Sequence, residues 1–222
     1  LPELVPALQE ATPLPLAFDS PNLKYHQRAL QHYDFRRSPA PMVNSLAVSR
    51  EDLDGFYEII GHYKTDVIVM AAEGMGEDGR PRPNFEPDEV LAISLRFVEK
   101  LRSLGIDNDK IFIDPGLFPV TGDTSGRVSM SLEAIRKIRA SSDLQGVHTC
   151  VGLTNFSLGA PKEVRHLLEC AYLTMAHPLG LDAILASPEK DWRLLSQDDP
   201  VLLKLKEALA FRAGTPRQKR PT

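Results

Sequence analysis

Cysteine and tryptophan are almost missing from these 222 residues, which hold two of the first and one of the second. Cys150 falls in an expected strand and Cys170 on an expected helix, which gives neither a disulfide framework nor metal-ligand spacing. Both are expected as buried free thiols in a reducing compartment. The six histidines form no His-Glu-x-x-His or similar pattern, so surface and capping roles are expected and no metal site. Long apolar runs are missing too: none approaches the ~18 residues that would span a bilayer. Leu1-Pro2-Glu3-Leu4 lacks the charged-then-apolar order of an export signal, so a cytoplasmic protein with no membrane partner is expected. At a formal net charge of -4 there is no basic stripe to release counterions from nucleic acid, and no nucleic-acid partner is expected.

Basic residues crowd only at the end, where Arg212, Arg217, Lys219 and Arg220 stand beside Pro216 and Pro221. That stretch, 212–222, reads as a disordered, solvated tail, and 1–211 as one domain. Two further signals fail on inspection. Gly74-Met75-Gly76 lacks the third glycine and the helix start of a phosphate fingerprint. Ser157, in Asn-Phe-Ser-Leu-Gly, lacks the Gly-x-Ser-x-Gly elbow of a nucleophile.

What is present is ordinary globular material, 42% hydrophobic and 25% charged, enough for a single core. Short apolar or β-branched runs alternate with longer helical stretches. Strands are expected at Leu14 to Asp19, Pro41 to Leu46, Asp66 to Ala72, Ile111 to Asp114, Thr149 to Leu153 and Ala183 to Ala186. Between them, Val164, Leu167, Leu168, Ala171, Tyr172 and Met175 mark one buried stripe of a helix. A second helix spans Asp88 to Leu104, with Pro87 and acids at its start, Val90, Phe97, Val98 and Leu101 inward, and Gly105 as its stop. Ser49 with Asp52 resembles a capping box at a third. Trp192 is expected to pack a helix onto the sheet.

Strand–helix units about thirty residues long require parallel neighbours joined by right-handed crossovers. Six such units after a leading helix at Pro2 to Ala11 match the last three-quarters of a TIM-type (β/α)8 barrel of ~250 residues. The fold expected is therefore an α/β barrel that lacks its first two strands in this numbering. The loop from Glu73 to Pro87 lies on its ligand side, where a lid, a partner platform and a solvated connector are alternatives.

Ligands of such barrels sit at the carboxyl ends of the strands. Polar residues end four of the apolar runs: Asp19, Asn44, Asp114 and Asn155. Each alone would suit a turn or a helix cap, but four at equivalent places suggest a site. Two carboxylates and two carboxamides suit a flat heterocycle with an amidine-like edge, since a carboxylate accepts two parallel hydrogen bonds.

The segments Ile111-Phe-Ile-Asp-Pro-Gly, Gly152-Leu-Thr-Asn-Phe-Ser-Leu-Gly-Ala-Pro and Ala176-His-Pro-Leu-Gly-Leu-Asp-Ala-Ile-Leu resemble the pterin-binding methyltransferases that pass a methyl group from methyltetrahydrofolate to a corrinoid protein. The likeness runs from Leu14 to about Pro188. It implies that Asp19, Asn44 and Asp114 hold the pterin edge and that Asn155 lies beside the methyl-bearing nitrogen as the catalytic group. It implies methyltetrahydrofolate as substrate, cobalamin or another corrinoid carried by a partner protein, and a homodimer. No Asp-x-His-x-x-Gly signature for holding a corrinoid occurs in the chain.

Dihydropteroate synthase, of the same superfamily, shares the Asp-Pro-Gly strand end but binds a pyrophosphate with lysine and arginine. Here Leu117-Phe118-Pro119-Val120 follows Gly116, and Ala186-Ser187-Pro188 ends the last strand, so the cations of that site are not expected. A noncatalytic pterin-binding module is the further alternative. The family's arginine after the Asn155 segment is replaced by Lys162-Glu163, with Arg165 nearby.

Overall fold

The computed structural model describes residues 2–213, with side chains for 2–210. Its main sheet has six strands, β1 (Ala17–Asp19), β2 (Met42–Leu46), β3 (Asp66–Met70), β6 (Ile111–Asp114), β7 (His148–Gly152) and β8 (Ala183–Leu185). They lie side by side in chain order and all pair in parallel. Helices α1 (Leu4–Ala11), α2 (Leu23–Gln31), α3 (Leu53–Tyr63), α4 (Pro87–Ser103), α5 (Arg127–Ala140), α6 (Lys162–Ala176) and α7 (Pro200–Ala213) complete a curled α/β half-barrel. This is the expected barrel without two strands.

The strand alternation divides the sheet cleanly. Val43, Val67, Val69, Ile111, Ile113 and Val151 are fully buried and share one face, as the pairing of Val43 with Val67 and of Val67 with Ile111 requires. That face packs under the helices. The first core cluster joins β2, β3 and β6 to α3 and α4, and the second joins β7 to α5, α6 and α7. The alternate residues, among them Asp19, Asn44, Ile68, Met70, Phe112 and Asp114, face the barrel interior.

Local chemistry sets the helix boundaries. Glu86 and Glu89 form a capping box at the start of α4, with Pro87 beside it. At its end, Gly105 takes φ +72° and the Ile106 N–H returns to the Leu101 carbonyl. Val90, Phe97, Val98 and Leu101 are buried as their spacing requires.

Several expectations need correction. β1 begins at Ala17 rather than Leu14, because Pro13 and Pro15 have no N–H for a ladder and leave Leu14 67% exposed. On α6, Val164 is exposed, and the buried set is Glu169, Cys170, Ala171, Tyr172, Thr174 and Ala176, since the first turn projects beyond the core. Ser49 and Asp52 do not form a capping box: Asp52 caps α3 alone through the Gly55 N–H, while the Ser49 N–H donates to Glu73. His26 is buried rather than superficial, on the inward face of α2. The stretch after β3 is an antiparallel hairpin, β4 (Glu73–Met75) with β5 (Pro81–Pro83), rather than loop. Its turn uses Asp78, which caps the Arg80 N–H, and Gly79 at φ +73°.

Both cysteines are buried and free. Trp192 packs partly buried against the second cluster and donates from Nε1 to the Ser187 carbonyl. α7 continues to Ala213, and the rest of the expected basic tail lies outside the described residues. No helix among the described residues is long and apolar enough to cross a membrane.

Candidate active site

Asp19 pairs in register with Asn44, Asn44 with Ile68, and Asp114 with Met70. Ile68 and Met70 are two apart on one strand, so Asp19, Asn44 and Asp114 share the interior face. Asp114 stands two residues further along than Asn44, a displacement of about 7 Å. Two strand spacings of about 4.8 Å, tilted by about 36° as in a barrel, give nearly that offset, which leaves both residues at one rim. Asn155 lies in the turn immediately after β7, with Nδ2 so close to Gly152 that a Cβ there would meet it at 2.9 Å. All four residues therefore stand at the carboxyl-end rim. Among the described residues no hydrogen bond joins any two of them, so they line the rim rather than form a cluster.

Their exposures differ. Asn44 and Asp114 are 9% and 7% exposed, whereas Asp19 and Asn155 are open to solvent. Burial pushes the Asp114 carboxyl up to about 6, opposed by one hydrogen bond from the Gly116 N–H to Oδ1 at 2.8 Å. No described residue donates to Oδ2. Gly116 makes this turn feasible: it takes φ +81°, and a Cβ would meet Ala72 Cβ at 2.5 Å. A half-partnered carboxylate, buried where ligands of barrels sit, has capacity for donors from outside the protein.

Sequence reasoning missed several rim groups. Arg50 donates to the Ser45 carbonyl at 2.8 Å and to Ser45 Oγ at 3.0 Å, which holds the chain just after Asn44. Asp19 and Glu73 both act on it, and burial lowers its pKa. His26 contacts the Ser20 carbonyl through Nε2 at 2.8 Å, and burial lowers its pKa as well. Asn84, buried at the foot of the hairpin, donates to the Ala71 carbonyl. Arg127 lies 3.4 Å from the Phe118 ring centroid and reaches the Asn84 carbonyl. Cations stand elsewhere on this side, Arg50 after β2 and Arg127 at the start of α5, while the run Leu117 to Val120 after Gly116 has none. Arg50 and Asn84 are placed by loops, and Arg127 by the first turn of α5, where no periodicity marks a residue; His26, on the inward face of α2, is the one that a helical stripe could have marked. A cleft of about 630 Å³ lined by Met75, Glu77, Arg80 and Arg82 belongs to the hairpin alone and holds none of the four. No group of three or more His, Cys, Asp and Glu suited to a metal occurs among the described residues.

A parallel half-barrel with polar side chains along its carboxyl-end rim defines the class of α/β barrel that holds a small ligand at its mouth. Residues 1–186 match the family model described as pterin binding enzyme, and the chain belongs to that family. It is similar to the methionine synthase of Mycobacterium leprae, 25% identical over 194 residues that cover 82% of this chain and 15% of that protein. The methionine synthase of Mycobacterium tuberculosis is 26% identical over 195 residues, 84% of this chain and 15% of its own length. The chain thus spans a small part of these relatives. Among solved structures, the dihydropteroate synthase of Coxiella burnetii in complex with pteroic acid aligns with TM-score 0.56 and 19% identity over 96% of this chain and 71% of that one. The Yersinia pestis enzyme with a pterine–sulfa conjugate gives 0.57 and 15% over 96% and 75%. At these identities the solved structures share the fold.

Proposed function

We propose that this chain binds methyltetrahydrofolate, or a related pterin, at its rim and passes the methyl group to cobalt held by a separate corrinoid protein. One observation carries the reading: Asp114 is buried at the rim with one oxygen free of protein donors. A pterin offers a ring N–H beside an exocyclic amine, a pair of donors that a single carboxylate accepts. Asn44, on the same face, supplies a buried carboxamide for the adjoining edge, and Asp19 closes the row.

As the methyl group leaves, the electron pair of the breaking carbon–nitrogen bond stays on the ring nitrogen, and a proton must reach it. Asn155 is the group assigned to that nitrogen. Its exposed carboxamide donates a hydrogen bond there or orders a water that does, without itself supplying the proton. The acceptor cobalt arrives on a partner, and the protein acts as a cytoplasmic homodimer.

The test is to mix the chain with methyltetrahydrofolate and reduced cobalamin and to follow the cobalt absorption spectrum. Methyl transfer changes it, and Asn155→Ala slows that change about 10²-fold. Calorimetry with folate derivatives separates the alternatives. Binding without turnover indicates a noncatalytic module, and absence of binding removes both readings.

Dihydropteroate synthase chemistry is the second reading, favoured by Arg50 and Arg127 at the rim. Arg50 spends two donors on Ser45, which leaves Arg127, stacked on Phe118 with its buried Nε unpartnered, as the cation of the two with more donors to spare for a pyrophosphate. Formation of a pteroate product from p-aminobenzoate and the pterin pyrophosphate would reverse the preference.

A further inference from the structure

The turn that carries Asn155 is held from three directions. Its Phe156 carbonyl accepts from the Val120 N–H at 2.9 Å, and its Leu158 carbonyl accepts from the Thr121 hydroxyl at 2.9 Å. The third tie is unusual. Ser157, two residues past Asn155 and 1% exposed, donates from Oγ to Glu169 Oε1.

Glu169 is itself 1% exposed on the inward side of α6, between Leu168 and Cys170. Its other oxygen, Oε2, accepts from the Lys190 ammonium at 3.0 Å. Lys190 lies 5.2 Å from the Trp192 ring centroid, and Trp192 Nε1 donates to the Ser187 carbonyl at 2.8 Å, which folds the segment after β8 around the pair. Stability does not explain such an ion pair, because desolvation cancels most of its Coulomb attraction and an apolar pair of equal volume is often as stable. What the carboxylate adds is geometry: one side chain ties the turn after β7 to the segment after β8, both on the ligand side.

We propose that Glu169, braced by Lys190, is a positioning residue that sets the direction of the Asn155 carboxamide through Ser157. The inference rests on the methyl-transfer reading for its kinetic consequence but not for its structural one. Asn155 sits in the same turn as Ser157, with its Nδ2 close over Gly152, so the path of the turn sets where the carboxamide stands. A small rotation of that turn displaces the donor from the reacting nitrogen and leaves the contacts of Asp114 and Asn44 in place. Glu169→Gln should therefore slow methyl transfer about 10- to 100-fold while the Kd for methyltetrahydrofolate stays within about threefold. Lys190→Met, at a half-exposed residue that folding tolerates, should act in the same direction, and Lys190→Arg should restore the rate.

Two readouts separate positioning from a merely structural effect. In a double-mutant cycle, Asn155→Ala with Glu169→Gln should be no slower than Asn155→Ala alone, whereas multiplying losses would overturn the proposal. The side-chain amide resonances of Asn155, identified by their disappearance in Asn155→Ala, should shift in Glu169→Gln and Lys190→Met. They should not shift in Glu133→Gln, a change on an exposed helix face. Unmoved resonances in the first two variants would also overturn the proposal. If the parent chain transfers no methyl group, the functional reading fails while the resonances still decide the positioning role.

Discussion

Asp114 and Asp19 end strands of one sheet and face the same side, yet they live in different solvents. β6 has β3 and β7 as neighbours, and Asp114 is 7% exposed; β1 has β2 alone, and Asp19 is open to water. Burial raises the Asp114 carboxyl to about 6. The difference teaches that identical residue types at equivalent strand ends are not equivalent groups: the flanking strands decide how much each carboxylate gains from a ligand.

The largest expected effect of that difference is on stability against pH. The folded pKa of Asp114 lies above its unfolded value of 3.8, so the folded state binds the proton more tightly, and stability is lost as pH rises from about 4 to about 6. Two pH units correspond to about 2–3 kcal/mol. Asp114→Asn should therefore be more stable than the parent by up to that amount at pH 7.5, with the gap closing near pH 4, as read by urea unfolding. A parent more stable than the variant at pH 7.5 would break the comparison.

Binding should move the other way. Asp114→Asn is expected to weaken pterin affinity by ~1.5–3 kcal/mol at pH 7.5, measured by calorimetry. The parent's affinity should fall below about pH 6 as its own carboxyl protonates. An affinity flat from pH 5 to 8 would contradict a role for the ionised group.

Gly116→Ala should cost about 1–3 kcal/mol of stability, since it combines φ +81° with a clash on Ala72. Gly79→Ala, at φ +73° with open space around it, should cost less, about 1 kcal/mol, and thermal unfolding of the two measures how much the close approach adds. Smallest of all is Asp19→Asn, expected to change affinity by less than about 1 kcal/mol and to lose even that in high salt. An effect as large as that of Asp114→Asn would show that ligand binding desolvates both carboxylates alike.

Much of this was legible beforehand. The runs Pro41 to Leu46 and Ile111 to Asp114 are apolar and β-branched, and both become strands within one residue of their expected limits. Asp78-Gly79 is a turn signal, and three prolines near it concealed the hairpin it closes. Arg50, Asn84, Arg127 and Glu169 carried no local mark, because each acquires its place from a partner far away in the chain or from a loop path. Val164 fits a helical stripe by spacing alone, but spacing does not say where the core ends.

The order of strands and helices, and the polar residue that closes four of the apolar runs, were determined by the sequence, because side-chain period and turn chemistry are local properties. Which of those polar residues would be stripped of water was decided only by tertiary structure. Desolvation depends on how many neighbouring strands and helices surround a group, and residues distant in the chain supply that enclosure around Asp114, Asn44 and Glu169.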